Sequence, residues 1–168
     1  MFSRASEYAL RAVTELARRG RGQYVLARQM AEILGVSVHY LSKVMQRLAK
    51  QGILKSQAGS CGGFALAREP EDVSPYDIVA ALNDISPFET CVMGEGKCAG
   101  SGTCPMHTPW DLIRNQFVRS LQSMMLAEMA AFQTARSKSA ELTATRDHPA
   151  QQSAAKSGRK SRPQEPGR

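Results

Sequence analysis

Cys91, Cys98 and Cys104, followed three residues later by His107, are the side chains in this chain with the strongest metal chemistry. Three thiolates and an imidazole make one complete set of four soft and borderline ligands. Glycines at 94, 96, 100 and 102 let the intervening chain wrap tightly and turn backbone N–H groups toward inorganic sulfides. Three chemistries compete for these residues. Structural zinc usually takes cysteine pairs two to four residues apart, and the gaps here are wider. A reversible disulfide needs only two thiols and explains neither the third nor the glycines. An iron-sulfur cluster fits the spacing best, with zinc and thiol oxidation as the alternatives.

The elements around the loop must hold it and make use of it. Before it, Ser74-Pro75 starts a helix through Ile78, Val79 and Leu82, with Ser74 as N-cap and Pro75 at the first position. After it, Thr108 as N-cap and Pro109 at the first position open a long helix expected to reach about Ala135. Its apolar stripe runs through Trp110, Ile113, Phe117, Leu121, Met124, Met125, Met129 and Phe132. Such a helix extends about 40 Å, more than a small body covers, so the stripe is expected to pack against a second subunit.

The first half reads as three helices and a hairpin. Ser3 or Ser6 caps the first helix, whose inward residues are Tyr8, Leu10, Val13, Leu16 and Ala17 and which Gly20 and Gly22 close. The second spans Ala27 to Leu34, with Met30, Ile33 and Leu34 inward. Gly35-Val36-Ser37 makes a turn, and Ser37 caps a third helix to about Lys50 that buries Leu41, Val44, Met45 and Leu48. A strand Ile53–Gln57, a glycine-rich turn and a returning strand Phe64–Ala67 follow. A hairpin directly after a helix-turn-helix is a winged helix, and the third helix has the dimensions of the major groove. The candidate DNA-contacting residues are Ser37, His39, Tyr40, Ser42, Lys43, Arg47 and Lys50 on that helix and Lys55 and Ser60 on the hairpin.

Charge agrees with this division. The net charge of +7 over 168 residues is divided into +8 over residues 1–68, −6 over 69–135 and +5 over 136–168. A basic first half suits a polyanion, because neutralising phosphates releases counterions. Charges at Arg4, Glu7 and Arg11 leave no apolar core for a signal peptide, and no run of about 18 uncharged apolar residues exists. A cytoplasmic protein with reduced thiols and no membrane association is therefore expected. Residues 136–168, poor in apolar side chains, are expected to be a disordered basic tail. An enzyme is not indicated: His39 lies on the DNA side and His148 in the tail, so no second catalytic constellation exists. A small iron-sulfur redox protein would leave the basic third helix unexplained.

The expected architecture is mainly α with a small β wing: a winged helix-turn-helix over 1–69, a connecting helix and cysteine loop over 70–107, a dimerisation helix over 108–135 and the tail. With Tyr8-Ala9-Leu10-Arg11, Ser37-Val38-His39-Tyr40-Leu41, Gly62-Gly63-Phe64-Ala65-Leu66 and the cysteines with His107 and Trp110, residues 1–135 resemble the Rrf2 family of bacterial winged-helix regulators. The resemblance implies a homodimer on a palindromic double-stranded operator, commonly as a repressor, with an iron-sulfur cluster that changes DNA affinity in response to redox state, nitric oxide or iron supply. It also implies two candidate fourth ligands. A His at the place of His107 completes a 2Fe-2S site in one branch, and an acidic residue matching Glu7 ligates a 4Fe-4S cluster from the partner subunit in another. His107 and 2Fe-2S are favoured here. Three features depart from the family: Ala58 stands where an Arg is common, Cys61 sits in the wing turn, and the gap between Cys91 and Cys98 is one residue longer than usual.

Overall fold

The computed structural model describes residues 2–59, 62–93 and 104–146, with side chains as far as Ser139. The element order is α1 (Arg4–Arg19), α2 (Ala27–Leu34), α3 (Val38–Lys50), β1 (Leu54–Gln57), β2 (Gly63–Leu66), α4 (Pro75–Ala81), α5 (His107–Ser123) and α6 (Leu126–Arg146), with single 3-10 turns at Pro70–Asp72 and Ser86–Phe88. This is the expected helical fold with a two-stranded wing.

Local signals account for most of the boundaries. The Ser3 side chain accepts from the Ser6 amide to cap α1, and Ser74 and Asp77 form a reciprocal capping box on α4. Gly35, at φ 67°, ends α2 in the left-handed conformation that a side chain would disfavour. Ser37 occupies the N-cap of α3 but makes no side-chain capping bond.

Helices α1 to α3 and the wing enclose one core of Val13, Leu16, Met30, Leu41, Met45, Leu48, Leu54 and Leu66 with their neighbours. Strands β1 and β2 pair antiparallel, Leu54 opposite Leu66 and Gln57 opposite Gly63. The segment before α2 joins their edge through two 2.9 Å bonds, Val25 N–H to the Phe64 carbonyl and Phe64 N–H to the Val25 carbonyl. Gly63 is required at that crossing, because a Cβ there would lie 2.2 Å from the Val25 oxygen. Ile33, expected inward, is instead 49% exposed; α2 is only eight residues long and turns Met30 and Ala31 to the core.

The continuous helix expected over 108–135 is corrected in two ways. It begins at His107, so Pro109 sits third, where the backbone has no intrahelical acceptor and loses nothing by lacking an N–H. It also breaks at Met124, whose ψ of 137° is extended. The cause is tertiary: the Leu126 amide donates to the Val73 carbonyl at 2.8 Å, and the Leu126 side chain is fully buried in the winged core. The disordered tail expected from Arg136 is corrected too, because α6 continues to Arg146; residues 147–168 lie outside the described residues.

Candidate functional site

Helix α3 has its core face at Leu41, Val44, Met45 and Leu48. At 3.6 residues per turn, His39, Lys43, Gln46 and Lys50 form a stripe directly opposite that face. All four are exposed. Tyr40 and Arg47 lie on the flank of that stripe, and both touch other elements. The Tyr40 ring stands edge-on to Tyr8 of α1, with centroids 6.0 Å apart and planes at 85°. The Arg47 guanidinium donates to the Leu82 carbonyl at the end of α4, at 3.0 Å. Ser42, half-buried, occupies the opposite flank with Ala49. Lys55 and the neighbouring Ser56 are exposed on β1, while Ser60 and Cys61 lie outside the described residues.

Tyr24 borders the same face, lining a cleft with Gln46, Lys50 and Lys55. Nothing in its sequence neighbourhood marks it for this position, which depends on the pairing of Val25 with the wing.

The cysteine region is approached through a chain of tertiary contacts. Burial tends to raise the Asp84 carboxyl, but the hydrogen bond from the Ser3 backbone N–H, with the polar groups at the start of α1 around it, outweighs burial and holds the group below its ordinary value. The Ser3 amide donates to Asp84 at 2.6 Å, tying the start of α1 to the segment after α4. Phe88 packs against Phe2 and Phe117, with centroids at 6.0 and 5.1 Å. The Trp110 indole N–H then donates to the Thr90 carbonyl at 2.9 Å, fastening the residue before Cys91 to the first turns of α5.

Cys91 and Cys104 are half-buried free thiols. The His107 amide donates to the Cys104 carbonyl at 3.1 Å, so these two candidate ligands share the turn that starts α5. Glu7 is exposed in the first turn of α1. Cys98 and the glycines at 94, 96, 100 and 102 lie outside the described residues, and among the described residues no three His, Cys, Asp or Glu side chains gather as a metal site. The thiols that are described fit a soft metal or cluster chemically: they are unpaired, partly accessible and beside an imidazole-bearing turn.

Helix α5 buries no residue completely. Leu112 is 66% exposed and Ile113 63%. Among the described residues, no helix is long and apolar enough to cross a membrane.

Comparisons with known proteins agree with this architecture. Residues 2–131 match the model of the Rrf2 family, described as iron-dependent transcriptional regulators. An HTH-type transcriptional regulator of Aquifex aeolicus is 32% identical over 118 residues, which cover 69% of this chain and 81% of that protein. The protein rrf2 of Nitratidesulfovibrio vulgaris is 31% identical over 124 residues, 74% of this chain and 83% of that one. Among solved structures, CymR, the global cysteine regulator of B. subtilis, superposes with a TM-score of 0.67 at 25% identity, covering 79% of this chain and 97% of its own. The IscR of T. potens gives 0.60 at 28% identity, covering 77% and 85%. A family match over nearly the whole described body, on a winged helix with an exposed basic stripe, makes this chain a transcription regulator of the Rrf2 family rather than an enzyme.

Proposed function

We propose that the chain binds a palindromic operator as a homodimer and that an iron-sulfur cluster on Cys91, Cys98 and Cys104 sets its affinity, with His107 favoured over Glu7 as the fourth ligand. The observation that carries this reading is the Trp110–Thr90 hydrogen bond. It fastens the approach to Cys91 onto the helix turn that carries Cys104 and His107, so a change among the thiols is felt at the start of α5. When bound, the cluster supplies a centre whose assembly, oxidation or reaction with nitric oxide alters what the loop holds together.

The chain's own residues would carry that change toward DNA. Phe88 and Asp84 connect the loop to α1 through Phe2 and Ser3, and the Leu82 carbonyl connects the end of α4 to Arg47 of α3. In a two-fold dimer the paired α3 helices must meet successive major grooves about 34 Å apart, and a small change in their spacing is enough to alter affinity. The exposed Leu112 and Ile113 supply apolar surface for subunit pairing along α5.

A second reading, a regulator that responds to thiol oxidation or zinc without a cluster, is favoured by the free, half-buried state of Cys91 and Cys104 and by the likeness to CymR, the global cysteine regulator of B. subtilis. Ultraviolet-visible spectroscopy of protein purified without oxygen, followed by titration onto a DNA duplex selected from a random pool, separates the two. A cluster absorbs in the visible; zinc and thiols do not. Colourless protein, fully metallated with zinc or free of metal, that still binds its selected duplex would establish the second reading in place of the first.

A further inference from the structure

The outward stripe of α3 runs into a cleft of about 650 Å³ where the helix meets the wing. Ala49 and Leu54 are its apolar part, and Leu54 is buried in the core. The other lining residues are Tyr24, Gln46, Lys50, Lys55 and Ser56: two ammonium groups and three neutral side chains able to donate hydrogen bonds, with no carboxylate among them. That set is complementary to an oxyanion.

Each wall of the cleft is fixed by the fold. Gln46 and Lys50 are four residues apart on α3 and so share one face. Lys55 and Ser56 belong to β1, held in register by Ala65 and Phe64 of β2. Tyr24 precedes Val25, whose two backbone hydrogen bonds to Phe64 pin the segment against the wing. The position is therefore set by three separate stretches of chain, and the stripe of Lys43, Gln46 and Lys50 leads directly to it.

We propose that this cleft seats one backbone phosphate of the DNA strand bordering the groove that α3 enters, with Tyr24 and Gln46 donating hydrogen bonds beside the Lys50 and Lys55 ammonium groups. This rests on the reading of α3 as the groove helix and names the contact that would fix its register, since phosphate contacts position a reader on the duplex while base contacts specify the sequence. Continuity with the basic stripe favours DNA over an acidic peptide or a free nucleotide as the occupant.

The test uses the full-length protein, handled without oxygen, and a duplex recovered by that protein from a random-sequence pool. Single methylphosphonates, which are uncharged, replace each backbone phosphate in turn. In the parent protein one position per half-site is expected to weaken binding about tenfold, and in the double variant Lys50→Gln/Lys55→Gln the same replacement costs less than about twofold. The slope of log affinity against log salt falls by one to two units per subunit in that variant. Tyr24→Phe, which keeps the ring and removes the hydroxyl, weakens binding about three- to tenfold and shares its effect with the same phosphate. Thermal melting shows that the variants remain folded. If a duplex is selected and bound but every methylphosphonate costs parent and variants alike, the cleft assignment is overturned while the reading of α3 stands. If no duplex is enriched from the pool, the reading of α3 fails and this assignment fails with it.

Discussion

The guanidinium of Arg47, on the exposed side of α3, donates to the Leu82 carbonyl at 3.0 Å and so turns toward the protein's own frame. The interaction satisfies a carbonyl left without a helical partner at the end of α4 and places a cation at a helix C-terminus, both favourable. Arg47→Gln is expected to lower stability by about 1 kcal/mol, seen as a fall of a few degrees in melting temperature, with the salt dependence of DNA binding unchanged. A loss of about one unit of salt slope would instead place Arg47 on a phosphate.

Tyr8 supports Tyr40 from α1 through an edge-to-face contact worth about 1 kcal/mol beyond burial. Tyr8→Phe preserves the ring pair and is expected to keep operator preference. Tyr8→Leu removes it, and the ratio of affinities for selected and scrambled duplexes should fall several-fold while non-specific affinity holds. Equal behaviour of the two variants would detach Tyr40 from Tyr8.

Much of this arrangement is legible without coordinates, for physical reasons that differ between elements. Ser74 and Pro75 announce the start of α4 because capping is local, and the structure adds the reciprocal bond to Asp77; Gly35 announces the end of α2 because its conformation is a property of one residue. The break before Leu126 is hidden because it depends on Val73, far away in sequence, offering both a carbonyl and a pocket. Arg47 is correctly placed on the exposed side of α3, but its partner is brought there by the packing of α4, which periodicity does not describe. Ile33 fails for a related reason: two turns of helix do not define a face well enough to assign its edges. The cysteine spacing is legible because thiol chemistry depends on residue type, and the Trp110–Thr90 bond that fastens its approach is not, because it joins residues twenty positions apart.

Changing Cys91, Cys98 or Cys104 singly to Ala is expected to abolish visible absorbance and to shift affinity for the selected duplex by roughly five- to 150-fold, the usual scale of coupling between two sites. His107→Ala should retain an altered or labile chromophore on three thiolates. A His107→Ala spectrum identical to the parent, together with loss of colour in Glu7→Ala, would transfer the fourth-ligand role to Glu7. Cysteine variants that bind DNA as the parent does would refute sensing by this loop.

The Asp84 carboxyl sits below its ordinary value in the folded protein, so its unfolded counterpart holds a proton more tightly. Its contribution to stability is therefore complete above the ordinary aspartate value of about 4 and is lost as pH falls through the folded value. Asp84→Asn should lower melting temperature slightly at pH 7 and make the decline between pH 5 and pH 3 shallower. Parallel melting curves against pH for the two proteins would contradict this.

Ile113 is largely exposed on α5, and Ile113→Glu places a charge on the surface proposed for subunit pairing. A dimer that depends on this face should dissociate toward monomer in sedimentation velocity, with operator affinity falling at least tenfold because two linked half-sites become independent. An unchanged sedimentation coefficient would move the subunit contact elsewhere.

The two ends of α5 are fastened to different parts of the body, the first by the Trp110 indole on Thr90 and the far one by Leu126 on Val73. Mechanically this is a beam with one end clamped to the wing's core and the other attached to the segment that leads into Cys91. A beam held this way pivots; it does not slide. Over the roughly 25 Å length of a helix of 17 residues, a displacement of about 2 Å at the Trp110 end corresponds to a tilt of about 5°. The break at Met124 confines that rotation to α5, because the chain is clamped again at Leu126, the first residue of α6.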